Sequence, residues 1–586
     1  MSTGFNDLVE LLETSIETHR DRPLFGAKVD GAWHWTTYAE LGETVDALRA
    51  SLAGIGVGAG DKVAIIADNR IEWAVACYAT YGLGAAFVPM YESQQAEEWR
   101  FILGDCGAKA VFVADGNIAA ALEARRAELP SLTHIIRLDG APGDPSSFAG
   151  LVDAGHACAV PSRRPGSAAL AGLIYTSGTT GLPKGVMLSH GNITSNINAV
   201  LAIFRFTTDD RSLAFLPWAH SFGQVCELHG LVAMGSQIAI NDDVAKLVPN
   251  LAEVKPTILY AVPRVFNRLY AGVNEQIAER PQLVQSLVKS GLAAAKRKNA
   301  GEQIGLVEQA TLFLADTLAF GKIRERFGGR LKYAISGSAA LDPEVASFID
   351  ALGIMVYEGY GLTETSPITS ANFPGHRKIG SVGRPIPGVT VTIDESVGDE
   401  PGRGEILVRG PNVMQGYYNR PEENAAVLSA DGTFRTGDLG YLDADGYLYV
   451  TGRIKEQYKL ENGKYVVPTP IEEKIKLSRY VANVLVHGAN KPHNVALIVP
   501  DRATLEDWAR AQGVPTDQLT AHPKVRELIR GEIDSHCRDV KGYERIRDFA
   551  FLDEDFTTDN GMLTPTMKLK RRVVLARYGE MIEQLY

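Results

Sequence analysis

Short apolar runs alternating with helix-patterned segments constrain this chain more than any other feature. Lys62–Ala67 (KVAIIA), Ala86–Tyr91 (AFVPMY), 110–113, 135–138 and 258–262 each read as a buried strand. Between the first two, Asn69 is expected to cap a helix running through Tyr81, and Gly84 to end it. An amphipathic helix opens the chain, with Phe5, Leu8, Val9, Leu12 and Ile16 at helical spacing. Strands that recur with helices between them imply a largely parallel sheet covered by helices, an α/β fold.

The texture then changes twice. From about 266 to 330 the chain is rich in Ala, Leu, Lys, Glu and Gln and reads as a helical insertion. From Val389 it turns to short β segments at 389–393, 405–409 and 441–450, the last around the turn Asp443-Ala-Asp-Gly446. Past Gly452 a compact unit of about 130 residues closes the chain, an ordinary domain size. With 586 residues one core is too few, so at least two domains are expected.

Composition narrows the classes. Apolar residues make up 45% and charged residues 22%, as in globular enzymes. The net charge of −11 disfavours a nucleic-acid partner. A polyanionic ligand would therefore need a site that concentrates its own Lys, Arg and backbone N–H groups. The five cysteines are scattered and never in C-x-x-C spacing, which argues against a zinc site or a disulfide framework. With no secretory signal in Met1–Glu10 and no long apolar run, the expected location is a reducing cytoplasm.

One loop looks built for phosphate. Tyr175-Thr-Ser-Gly-Thr-Thr-Gly-Leu-Pro-Lys-Gly185 follows the apolar run 169–174. Gly178, Gly181 and Gly185 allow tight turns that bring N–H groups to an anion; Thr176, Ser177, Thr179 and Thr180 add hydroxyls, and Lys184 adds a mobile cation. A solvated turn is the bland alternative. It is not a Walker A loop, since Gly185 and Val186 follow Lys184 where Ser or Thr would stand.

This loop resembles the signature loop of the adenylate-forming superfamily, which includes acyl-CoA synthetases, peptide-synthetase adenylation domains and luciferases. Further motifs follow in that family's order across nearly the whole chain. Tyr357-Glu-Gly-Tyr-Gly-Leu-Thr-Glu-Thr365 is similar to its nucleotide segment. The resemblance implies that Glu358, Gly359, Tyr360 and Gly361 border the nucleotide, with Tyr360 against adenine, Thr363 on the α-phosphate, and Glu364 with Thr179 holding Mg2+. Ser336-Gly-Ser-Ala-Ala340 looks like the small-residue turn beside adenine and the acyl pocket, which brings in Gly337, Ser338 and Ala339. Asp438, in Phe434-Arg-Thr-Gly-Asp438, matches the ribose-binding aspartate, and Arg453 its basic partner. A carboxylate suits a vicinal diol because it offers only acceptors. His220, in Leu216-Pro-Trp-Ala-His-Ser-Phe222, matches a histidine at the carboxylate end of the acyl pocket, although such a residue is often structural.

The tail Leu563-Thr-Pro-Thr-Met-Lys-Leu-Lys-Arg-Arg572 resembles the variant in the long-chain fatty acid branch, with Met567 where the family usually has glycine. Alignment on Lys-x-x-Arg-Arg makes Lys568 the catalytic lysine; Lys570 is the competitor if the loop is extended. Two positions after Arg453, Lys455 matches the family's hinge.

The implied architecture is a large N-terminal domain, 1–453, of layered α/β subdomains with a small β-barrel-like subdomain, and a mobile α+β C-terminal domain, 454–586. The implied function is activation of a long-chain fatty acid with ATP and Mg2+, then transfer to CoA. An aryl- or medium-chain acid:CoA ligase, an acyl-AMP ligase loading a carrier protein, and an inactive nucleotide-binding regulator are the alternatives. A transient membrane contact and a homodimer are compatible with the sequence, though no polybasic amphipathic helix is evident.

Overall fold

A computed structural model describes residues 4–176, 182–398, 400–517, 519–564 and 566–586. The first sheet has seven strands in the order Gly416–Tyr417, Lys184–Ser189, Leu170–Thr176, Ala86–Met90, Lys62–Ile66, Ala110–Val113, His134–Arg137. The run from Leu170–Thr176 to His134–Arg137 is parallel, while Leu170–Thr176 and Lys184–Ser189 form an antiparallel hairpin. Strands 62–66, 86–90 and 110–113 are buried almost throughout, which is why they read as unbroken apolar runs. Gly172 lets two strands meet: a Cβ there would stand 2.6 Å from the Phe87 carbonyl oxygen.

A second sheet runs Ile258–Ala261, Tyr333–Ser336 and Val356–Gly361 in parallel, then Ile368–Ala371 and Arg384–Pro385 antiparallel. Arg211–Ala214, in a four-stranded sheet with 23–29, 32–37 and 237–240, abuts it through the Thr257 N–H to Arg211 C=O bond of 2.9 Å. Between 258–261 and 333–336 lies the helical insertion: Pro263–Ala278, Gln282–Asn299, Leu306–Ala315, a short π-helix Asp316–Phe320, and Gly321–Arg326. The small β unit is an antiparallel sheet of Thr390–Asp394, Gly404–Arg409, Phe434–Leu442 and Leu448–Arg453.

Beyond it the chain builds its own cores. The sheet Val481–His487, Asn494–Pro500, Ile546–Phe551 and the helices around it bury clusters drawn only from Leu460 onward. This unit meets the larger body partly through exposed ion pairs, Arg479–Glu275 at 2.8 Å and Lys541–Glu400 at 3.6 Å. No helix among the described residues is long and apolar enough to cross a membrane.

One expectation needs correction. The helix after Lys62–Ile66 spans Ile71–Gly82, and Arg70 stands at its N-cap without a side-chain bond. Asn69 is turned away. Its Oδ1 accepts from the Trp218 N–H at 2.7 Å and its Nδ2 donates to the Leu216 carbonyl at 2.8 Å. The same amide chemistry that would cap a helix here pins the segment that leads into His220.

Candidate active site

Parallel strands place ligands at their carboxyl ends. Here the ends of 86–90 and 170–176 from one sheet, and of 258–261, 333–336 and 356–361 from the other, converge on one cavity of about 570 Å³. The sheet 434–453 and the loop bearing Lys568 complete its wall.

The polar end is organised around Asp438. Its Oδ1 lies 2.8 Å from Arg453 Nε, and its Oδ2 accepts from the Tyr360 hydroxyl at 2.7 Å. Asp438 and Arg453 are cross-strand partners, so the hairpin itself sets their separation. Burial raises the Asp438 carboxyl above its ordinary value, and Arg453 opposes that rise. Both oxygens keep lone pairs for a further donor. Gly361, beside Tyr360, cannot be replaced cheaply: a Cβ there would stand 1.7 Å from the Pro367 carbonyl oxygen.

Next to it, Glu364 Oε1 accepts from the Tyr417 hydroxyl at 2.8 Å, and Tyr417 also carries the Lys184 ammonium 5.2 Å from its ring. Lys184 opens the strand opposite Thr176 and pairs with Glu423 at 3.5 Å. Tyr417 is the residue the motifs do not reveal. It sits on a two-residue edge strand, and only its pairing with Val186 brings it to the cavity. Ser177, Gly178, Thr179, Thr180 and Gly181 lie outside the described residues. Magnesium is commonly held by one or two carboxylates plus substrate phosphates, and Glu364, with Oε1 fixed by Tyr417, fits that role.

His220 follows the segment that Asn69 pins. Its Nδ1 accepts from the Phe222 N–H at 3.2 Å, and burial, with Lys568 adding to it, pushes its pKa down to about 4. The ring is therefore neutral near pH 7 with its proton on Nε2, a donor without charge. Thr363 Oγ1 is 3.2 Å from Ser221 Oγ, which joins this segment to the 357–365 motif. Phe222 begins an eight-residue π-helix, Phe222–His229, from which Phe222 and Cys226 both face the cavity.

Lys568 is presented by a tight loop. Leu563 bridges Leu569, the Lys568 N–H donates to Thr564 Oγ1 at 3.0 Å, and Lys568 C=O accepts from Thr564 N–H at 2.8 Å. Met567 has φ +62°, which turns the chain sharply just before Lys568. Lys568 lines the cavity; Lys570 instead stands at the N-cap of Arg571–Glu583. The Lys568 side chain is exposed to solvent where it lines the cavity, yet protein surrounds it closely. Desolvation by those neighbours, with Arg453 next, lowers its pKa from the ordinary 10.5, while Asp438 and Glu364 pull the other way. Charge on Lys568 is thus lost at lower pH than on a free lysine. If it must be protonated, kcat/KM for pyrophosphate release falls on an alkaline limb below 10.5. Lys568→Arg moves that limb upward; a limb unchanged in this variant would assign it to another group.

Of the residues expected at a nucleotide, Thr176, Lys184, Gly337, Ser338, Gly359, Tyr360, Gly361, Thr363, Glu364, Asp438 and Arg453 line the cavity, as do His220, Lys455 and Lys568. Ala339 and Glu358 do not. Ser338, at φ +71°, turns the backbone so that Ala339 faces out. Glu358 points behind the strand, where its carboxylate accepts from the Leu341 N–H at 3.1 Å and burial raises its pKa to about 7.

Two mixed sheets whose parallel strands end at one cavity, with a lysine delivered by a separate C-terminal unit, define an adenylate-forming fold. The chain belongs to the AMP-binding enzyme family: the family's main model matches residues 12–418 and its C-terminal-domain model residues 455–586. It is 34% identical over 589 residues to the long-chain-fatty-acid–CoA ligase FadD15 of Mycobacterium bovis, covering 97% of this chain and 96% of that one. Human long-chain-fatty-acid–CoA ligase 1 is 30% identical, over 99% and 86% of the two chains. Among solved structures, the adenylation domain of a carboxylate reductase from Mycobacterium chelonae superposes with TM-score 0.81 at 24% identity, covering 100% and 92%. ATP-bound MatB from Rhodopseudomonas palustris gives 0.72 at 24%, covering 99% and 100%. ATP-dependent adenylation of an acid is the chemistry this membership carries.

Proposed function

We propose that the chain activates a long-chain fatty acid as its acyl-adenylate, releasing pyrophosphate, and then transfers the acyl group to CoA with release of AMP. The observation that supports this best is the two-ended cavity. Asp438, Arg453, Glu364 and Lys568 crowd one end, while Phe204, Phe222, Cys226 and Tyr260 line the other, with His220 and Thr363 at the junction. Each methylene buried at the apolar end contributes about 0.8 kcal/mol, so chain length translates directly into binding. Relatives named as long-chain fatty acid ligases match the chain over nearly its whole length, which favours the same substrate class.

In this reading Asp438 accepts from the ribose hydroxyls, Tyr360 lies along the base, and Thr363 donates to the α-phosphate. Lys184 and the hydroxyls of the 176–180 loop take the outer phosphates. Glu364, with Thr179, would hold magnesium, which when bound neutralises phosphate charge. The difficulty of the step is repulsion between a carboxylate and the α-phosphate. Lys568 lies between them and offsets it by position and charge, without forming a covalent bond. The neutral Nε2–H of His220 orients the acid without adding charge. The thiol of CoA then needs the place that Lys568 holds. The unit from 454 to 586 would rotate about Lys455, and the exposed Arg479–Glu275 and Lys541–Glu400 pairs resist such rotation weakly.

The test is AMP release with ATP and CoA across acids from acetate to oleate, including an aryl acid. Rising kcat/KM toward the long chains is expected. A maximum at the aryl or medium-chain acid would replace the substrate assignment, and turnover only with a carrier protein would replace CoA.

A further inference from the structure

Asp105 stands where its own helix gives it no support. It lies in the last turn of Ala96–Cys106, at the negative end of the helix dipole, and its side chain is only 12% exposed. What offsets the charge comes from two other segments. Oδ2 accepts from the Tyr175 hydroxyl at 2.7 Å, and Oδ1 accepts from Arg420 Nη2 at 2.8 Å. Burial raises the Tyr175 pKa, so that hydroxyl stays protonated and keeps donating.

Both partners lead to the phosphate end of the cavity. Tyr175 is the cross-strand partner of Gly185, as Thr176 is of Lys184. Its ring lies on that glycine, since a Cβ on Gly185 would stand 2.9 Å from Tyr175 Cζ. From the other side the Tyr418 N–H donates to the Gly185 carbonyl at 2.8 Å, two residues before Arg420. Gly185 is thus clamped between two segments that meet again at Asp105. Lys184 precedes this glycine, and Tyr417, which carries the Lys184 ammonium and donates to Glu364, precedes Tyr418. Asp105 itself does not line the cavity.

We propose that Asp105 is a positioning residue for the adenylation step. By holding Tyr175 on one side of Gly185 and the 417–420 segment on the other, it fixes Lys184 and Glu364 at the spacing a magnesium-bound triphosphate needs. This role rests on Lys184 and Glu364 serving phosphate and magnesium as proposed. Asp438 and Arg453 lie on another sheet and make no hydrogen bond to Asp105, Tyr175 or Arg420, so the ribose end is independent of this node. A carboxylate is needed and not merely its shape. Asparagine in its place offers one acceptor oxygen where two donors arrive, and turns its own N–H groups on one of them.

Calorimetric titration of the full chain with ATP and MgCl2, and separately with AMP, in the absence of any acid, tests it. Asp105→Asn is expected to weaken ATP binding by about tenfold and to leave AMP binding within about twofold of wild type, the scale for groups that orient a metal-holding side chain. In turnover, KM for ATP is expected to rise and KM for the acid to hold. Tyr175→Phe should show the same selective loss at smaller size, and adding it to Asp105→Asn should cost nothing more, because its bond is already broken. Equal ATP affinity in wild type and Asp105→Asn overturns the proposal. Parallel loss of ATP and AMP binding overturns it too, since the contact would then serve the fold alone. Where Asp105→Asn does not fold, Tyr175→Phe decides by the same two titrations. Selective loss of ATP binding as expected, with no AMP release from any acid, would refute the ligase reading and leave the positioning role standing.

Discussion

Lys568→Ala is expected to lower acyl-adenylate formation by about 10²- to 10³-fold, the scale for removing one preorganised charged contact from a transition state. The same variant should still convert supplied acyl-adenylate and CoA to thioester at near the wild-type rate. The separation follows from the geometry. Lys568 reaches the cavity only on the loop between Leu563 and Leu569, and its surroundings are Arg453, Asp438 and Glu364, the groups assigned to the nucleotide. A thiol arriving at the adenylate has no use for that ammonium and needs its space. Lys570→Ala serves as the control, since Lys570 stands at a helix N-cap and leaves both half-reactions intact. Equal loss of both half-reactions in Lys568→Ala would mean that the lysine holds the fold and not the chemistry.

The second large effect concerns what holds that loop. Three residues after Lys568, Arg571 pairs with Glu472 and donates to the Val486 carbonyl at 3.2 Å, while Glu472 Oε1 accepts from the Val486 N–H at 2.6 Å. The Glu472 side chain is 5% exposed and that of Arg571 18%, so neither charge has water to fall back on. Removing one partner of such a pair costs about 3–5 kcal/mol, because the other is left buried and unpaired. Arg571→Met is therefore expected to lower the melting transition of the C-terminal unit by roughly 10 °C or more and to leave that of the larger body in place. Adding Glu472→Gln removes the orphaned charge and keeps the bond to Val486, so the double variant should recover most of the loss. If each single variant melts like the wild type, the pair is not what anchors the loop.

Much of this arrangement is legible in the sequence, for physical reasons that differ from place to place. The strands 62–66 and 86–90 announce themselves because burial on both faces leaves no polar position to interrupt them. Asp438 and Arg453 are found because a hairpin turns a fixed sequence spacing into a fixed distance. What fails is whatever depends on tertiary choice. Asn69 has the chemistry of a cap and spends it on Leu216 and Trp218, a decision made 147 residues away in the chain. Lys568 and Lys570 are equivalent on an extended loop and become distinct only in the fold, where Lys568 lines the cavity and Lys570 stands at a helix N-cap. Glu358 and Ala339 sit inside motifs whose neighbours face the cavity, and alternation along a strand or a turn sends them elsewhere. Tyr417 has no motif at all.

All of the site assignments depend on an acid and a nucleotide meeting in one cavity before any thiol takes part. Exchange of labelled pyrophosphate into ATP, run with oleate and no CoA, tests this most directly. The account predicts exchange that appears with the acid, vanishes without it, and is lost in Lys568→Ala. Hydrolysis of ATP to ADP and phosphate, or the absence of exchange with every acid tried, would contradict it.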